Sequence, residues 1–149
     1  MDVKIFKTTI DDCVSRQGLK KKGSYYYADS NDILTVIGLQ KSSYANGYYL
    51  NLGYIIKQLR PNLEKPGYAD GDFRLRFDFD KEKNDGDFYD LDQHPDADKV
   101  KLEAAMEENL RTYVTQITSL DALKQFLAGQ PHLLNIARYE AKQLLGFMK

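Results

Sequence analysis

Apolar residues near the start of the chain recur at spacings of three and four, at Val3, Phe6, Ile10 and Cys13, which is the period of one buried helical face. Asp2 stands where an N-cap carboxylate accepts from free backbone N–H groups, and Gly18 suits a left-handed C-terminal cap, so a first helix is predicted between them. Beyond it the period changes to two. Ser24 to Ala28 reads as a tyrosine-rich strand, Asp29-Ser30-Asn31-Asp32 as a turn, and Ile33 to Gln40 as a second strand of a hairpin. That second strand is apolar at nearly every position, as in a central strand covered on both faces or one whose second face is only partly wet; its β-branched residues and short length disfavour helix. Ala45-Asn46-Gly47 supplies an Asn-Gly turn, and Tyr48, Leu50, Leu52, Tyr54 and Ile56 then share one face of a third antiparallel strand.

Arg60 to Gly71 holds two prolines and two glycines and reads as a long connection free to move. Phe73, Leu75, Phe77 and Phe79 then alternate with Arg74, Arg76, Asp78 and Asp80, predicting a fourth strand with aromatic groups inward and charges outward. Lys81 to Gly86 is a polar turn, and Phe88-Tyr89-Asp90-Leu91 forms either a short fifth strand or an extended arm. Pro95, Asp96 and Asp98 suit the start of a long helix with Met106, Leu110, Tyr113 and Ile117 on its buried face. Ser119 caps a short helix through Ala128, closed by Gly129, and a last helix is expected to carry Leu133, Ala137, Ala141, Leu144 and Met148 on one stripe.

Strands gathered between residues 24 and 92 with helices on either side predict a single α+β domain over residues 1–149: an antiparallel sheet of four to five strands with helices packed on one face. The face left open by the helices should present Tyr49, Asn51, Arg74 and Arg76, with Gln40 and Lys41 at the end of the neighbouring strand. A chain of 149 residues is long enough to bury one core, and its 42% apolar and 29% charged content is that of an ordinary globular protein. Lys and Arg total 21 against 22 Asp and Glu, so no global field draws nucleic acid or an anionic membrane, and any electrostatic function is local. The lone cysteine, the want of an apolar leader and the shortness of every apolar run point to a cytoplasmic protein with no membrane partner.

Chemistry is sparse in this sequence. Asp80, Glu82 and Asn84 alternate like calcium ligands, but Asp85 occupies the position that needs glycine and Leu91 the position that needs glutamate, so the segment is read as an acidic loop open to a basic partner. His94 and His132 each lie beside a proline without a second strong ligand at metal spacing, and no zinc, other metal or cofactor is expected. Cys13 belongs to a buried stripe and is given no nucleophilic role. Lys20-Lys21-Lys22 beside Tyr25 to Tyr27 mimics a single-strand nucleic-acid surface, yet lysines closing a helix and tyrosines in a hairpin account for it more simply. No glycine-rich phosphate loop and no Gly-x-Ser-x-Gly elbow occurs.

Leu19-Lys20-Lys21-Lys22-Gly23 before a tyrosine-rich strand, Asn31-Asp32-Ile33 leading into Val36-Ile37-Gly38-Leu39-Gln40-Lys41-Ser42, and Tyr49-Leu50-Asn51-Leu52-Gly53 resemble the bacterial domain of unknown function family 4304. Arg74-Leu75-Arg76 and Phe88-Tyr89-Asp90-Leu91 continue the likeness, the last without the tryptophan usual there. The resemblance implies an α+β domain and no particular reaction. It singles out Gln40, Lys41, Ser42, Asn51, Arg74 and Arg76 as a polar cluster on neighbouring strands.

Two functions are compatible with these residues. One is a non-enzymatic protein-binding domain of immunity or antitoxin type, which occludes a partner such as a toxin domain through Tyr49, the polar cluster and the acidic residues Asp85 and Asp87. The other is a small-ligand domain or enzyme that holds an anionic substrate through Arg74 and Arg76. Binding is preferred, because an enzyme needs a nucleophile, base or metal that the sequence does not name.

Overall fold

A computed structural model of the chain describes residues 1–80 and 86–149. Helix α1 (Val3–Arg16) begins where the Asp2 carboxylate accepts from the backbone N–H groups of Lys4 and Ile5, and it buries Phe6, Ile10, Cys13 and Val14. Val3 lies outside that face and is exposed. Gly18 adopts a φ of 85°, the left-handed conformation expected of it.

The chain then forms β1 (Lys20–Lys22), β2 (Tyr25–Asp29), β3 (Ile33–Lys41), β4 (Gly47–Ile56), β5 (Phe73–Arg76) and β6 (Phe88–Asp90). All pairings are antiparallel, in the order β1-β2-β3-β4-β5, with β6 also on β4. The α+β class and the antiparallel sheet are as the sequence predicts, with one strand more. Lys20 to Lys22 do not close a helix; they are the exposed outer strand of a hairpin turned by Gly23, whose φ is 62°. Lysines suit that place, because charge on an edge strand opposes pairing with another chain.

Strand β4 is the axis of the sheet. One side pairs with β3 over its whole length, Ile33 opposite Ile56 through Lys41 opposite Tyr48. The other side is shared end to end: β5 pairs with residues 51–54 and β6 with residues 47–49. Phe77 bridges the two by donating to the Leu50 carbonyl at 2.9 Å, after which the chain leaves the sheet and returns at Phe88. Phe79, expected as the next inward position of the strand, lies beyond its end, half-buried against the Tyr89 ring.

Helices α1, α2 (Lys99–Leu110) and α3 (Leu120–Ala128) cover the face formed by Ile37, Tyr48, Leu50, Leu52, Tyr54 and Phe77. Phe6 stacks on Tyr48 and Tyr89, Phe126 meets Tyr54 edge-on, and Phe77 stacks on Tyr113. Helix α2 runs on into a wider π turn over Arg111–Thr115, and this slips the buried stripe from Tyr113 to Val114. Ser119 caps α3 as predicted. The last apolar stripe does not make one helix: a turn at Pro131–Leu134 and a short α4 (Tyr139–Leu144) bury Leu133, Ala141 and Leu145, while Leu144 and Met148 are exposed.

The opposite face is only half open. Residues 57–72, read from the sequence as a free connection, form a strap across it with short turns at Lys57–Leu59 and Tyr68–Asp70. Glycine is what lets the strap down onto the sheet. A Cβ on Gly53 would meet the Tyr68 carbonyl at 2.3 Å, and one on Gly38 would meet the Tyr68 ring at 2.7 Å. Tyr27 donates to the Pro66 carbonyl at 2.7 Å and Tyr25 meets the Tyr68 ring edge-on, so neither tyrosine is part of an open face.

Phe77→Ala should cost about 3 to 5 kcal/mol in denaturant melts, because the side chain is fully buried against Tyr113. A loss below about 1 kcal/mol would contradict the placement of this strand. Tyrosines give a second check. Burial, then the Asp11 carboxylate, raises the Tyr26 phenol; burial raises Tyr54 as well; and burial followed by the Asp98 charge pushes Tyr89 up to about 12. A free tyrosine ionises near about 10, so the unfolded chain binds fewer protons above that point and stability should fall as pH rises from there toward 12. Unfolding measured along that pH series should show the fall, reduced in Tyr89→Phe.

Candidate functional site

The open half of the second face lies where β3, β4, β5 and β6 meet. Strand alternation sends Gln40, Tyr49, Asn51, Arg74, Arg76 and Phe88 to that side. Arg76 is its centre. Its Nε donates to Asn51 Oδ1 at 3.0 Å, Nη2 to Gln40 Oε1 at 3.2 Å and Nη1 to Asp87 Oδ2 at 3.4 Å. Asn51 Nδ2 donates to the same Gln40 oxygen at 2.9 Å, which fixes the orientation of both amides. The guanidinium lies over the Tyr49 ring at 3.9 Å from its centroid, and that ring packs on Phe88 at 5.1 Å. Cation, aromatic face and carboxylate thus hold one another in place at the surface.

Other expected members stand elsewhere. Lys41 is opposite Tyr48, which alternation places on the helix side, exposed at the end of β3. Ser42 accepts from the backbone N–H groups of Tyr44 and Ala45 and shapes the β3–β4 turn. Neither belongs to the cluster. Asp85, with Glu82 and Asn84 of the calcium-like pattern, falls outside the described residues. Among the described residues no group of three or more His, Cys, Asp or Glu side chains could hold a metal ion.

Arg74 points to the same side as Arg76 but makes no ion pair with a described residue. It lines a cleft of about 540 Å³ that wraps the outer edge of β5. On one side of that edge stand Arg74, Arg76, Gln40 and Asn51; on the other, Leu75, Tyr113, Phe126 and Leu133; and Gln130, His132 and Ile136 form the far wall. The sequence gives no sign of this wall, which comes from a turn about 55 residues further along the chain. His132 is exposed there, whereas His94 is committed: its Nδ1 lies 2.8 Å from Asp98 and its ring stacks on Tyr89.

Asp72, which is 1% exposed, stands just before β5 and outside the lining of the cleft. Its carboxylate accepts from the Ile56 N–H at 2.8 Å and from Arg60 at 2.9 Å, with Arg138 at 3.9 Å, and its carbonyl accepts from the Arg138 N–H at 3.1 Å. A second buried polar residue, Asn109 of α2, grips the backbone of Asp78 through its N–H and its carbonyl, at 3.0 and 2.9 Å, where the chain leaves the sheet. Neither is marked in the sequence, since an Asp among turn residues and an Asn on a polar helix look like solvated surface.

These features define an α+β domain whose antiparallel sheet carries helices on one face and a strap over half of the other. The chain belongs to the family described as Domain of unknown function (DUF4304), whose model matches residues 10–120. The match takes in Arg76 and all its partners and ends before the far wall of the cleft. No curated protein and no solved structure matches the chain. No helix among the described residues is long and apolar enough to cross a membrane.

Asp72→Ala should cost about 3 to 5 kcal/mol, because it strands a largely buried guanidinium and a backbone donor together. Urea unfolding would measure it. A loss close to zero would show that the strap and the C-terminal segment are held without Asp72.

Proposed function

We propose that this chain is a non-enzymatic protein-binding domain, an immunity or antitoxin-type protein of the bacterial cytoplasm that neutralises a partner by covering its working surface. The observation that carries the reading is the Arg76–Tyr49 stack, held by Asn51, Gln40 and Asp87 at the open end of the sheet. Tyr and Arg dominate the energetic centres of protein interfaces, and they contribute most when little side-chain freedom remains to be lost on binding. Asp87 at the rim adds a charge suited to steering a basic partner. In this reading occlusion needs surface shape and rigidity only, and no group has to move a proton or attack a bond.

The cleft beside Arg74 favours a second reading, a domain that holds a small anionic ligand, since its volume is in the range of ligand pockets and Arg74 has no ion-pair partner among the described residues. The two readings differ in what Tyr49 does. For an occluding protein, Tyr49→Ala and Arg76→Ala should each weaken the partner by about 1 kcal/mol or more. The partner would be identified by affinity purification and its affinity then measured with purified components. Melting of Tyr49→Ala should change little, and Asp87→Asn should act mainly on association rate and its salt dependence. If all three leave the partner's affinity and association rate unchanged, the occluding reading is wrong.

A further inference from the structure

The two ends of the sheet are finished differently. At β1 three exposed lysines guard the edge. At the other end β5 pairs, among the described residues, only with β4, and it lines the cleft. The hydrogen bond from Phe77 to the Leu50 carbonyl makes that pair a bonded one, so with the period of two, the main-chain groups of Phe73 and Leu75 face β4 and those of Arg74 and Arg76 face outward. Among the described residues no loop or turn backbone hydrogen bond satisfies these outward groups.

The walls of the cleft match an extended chain. Side chains of an added strand alternate between faces, so every second one would lie beside Arg74 and the others against Leu75, Leu133 and Ile136. Ile136 is 61% exposed, an apolar residue without cover at the mouth of the cleft. The polar side is cationic: Asp87 is the one carboxylate lining it among the described residues, and it is paired with Arg76. The Arg138 N–H bond to the Asp72 carbonyl closes the Phe73 end, so a segment enters from the Arg76 end.

We propose that β5 receives an extended segment of the partner protein as one more strand of the sheet, with acidic side chains toward Arg74 and apolar ones toward Leu75, Leu133 and Ile136. This rests on the protein-binding reading and names the chemistry of the partner. Main-chain bonds supply affinity that depends little on sequence, and the alternation supplies selectivity.

The test uses the full chain and short fluorescein-labelled peptides followed by anisotropy. A peptide alternating valine and glutamate should bind saturably, and one alternating valine and lysine should not. Arg74→Glu should weaken the first by about tenfold or more, with unchanged melting because Arg74 has no ion-pair partner among the described residues. Two further peptides carry N-methyl groups on alternate residues, one set on each edge. One of the two should lose binding and the other keep it. Equal binding by both methylated peptides, or by the lysine peptide, overturns strand addition. So does a dimer of the chain alone, in sedimentation, that Arg74→Glu disrupts, because a second copy would then own the edge. If no peptide binds while Tyr49→Ala still weakens the purified partner, strand addition fails and the protein-binding reading stands; if the glutamate peptide binds while Tyr49 and Arg76 are indifferent to the partner, the reverse holds.

Discussion

A single buried carboxylate, Asp72, ties together the end of β4, the strap and the C-terminal segment. It sits between the strap and β5, accepts from the last residue of β4 and from Arg60 at the start of the strap, and anchors the C-terminal segment through Arg138. Burying a carboxylate is unfavourable unless its lone pairs are filled, and here the requirement is met by groups from three separate stretches of chain. Those stretches are therefore fixed relative to one another. The strap covers one half of the sheet face and leaves the other open, and the turn at Pro131–Leu134 comes close beside β5 to form the far side of the cleft.

The open half is shaped by the way β4 divides its outer side. Two short strands end to end, in place of one long one, let the chain depart at Phe77 and return at Phe88. Departure and return bring Arg76 and Asp87 to the same place from either side of the excursion, and Tyr49 with Asn51 lies beneath them. Asn109 holds the point of departure onto α2, so the geometry of the cluster is coupled to the helix layer as well as to the sheet.

Most of the scaffold was legible because period and turn chemistry are local properties. The β3–β4 pairing follows from Asn46-Gly47 and the alternation of Tyr48 to Ile56, and the side taken by Asn51 and Arg76 follows from parity alone. Lys20 to Lys22 were misplaced because a lysine run looks the same at a helix end and on an edge strand; only the tyrosine partner strand decides it. The strap was missed for a different reason. Prolines and glycines mark where a chain bends, and nothing local says that Gly38 and Gly53 lie side by side to receive it. The cleft was illegible for the same reason, since its walls come from distant parts of the chain.

Parity predicts that Arg74 and Arg76 share a face, but what lies opposite each separates their roles. Asn51 faces Arg76, and its amide, together with Gln40, takes two of the guanidinium's five donors while Asp87 takes a third. Gly53 faces Arg74 and offers no side chain, because the strap needs that space for the Tyr68 backbone. The glycine that admits the strap is thus also what leaves Arg74 without a partner on its own sheet. Arg76 is a fixed, aromatic-backed group, whereas Arg74 makes no ion pair with a described residue and lines the cleft. A side chain at position 53 would shut the strap out, so the covered half and the open half of the face both follow from the residues β4 places at 51 and 53.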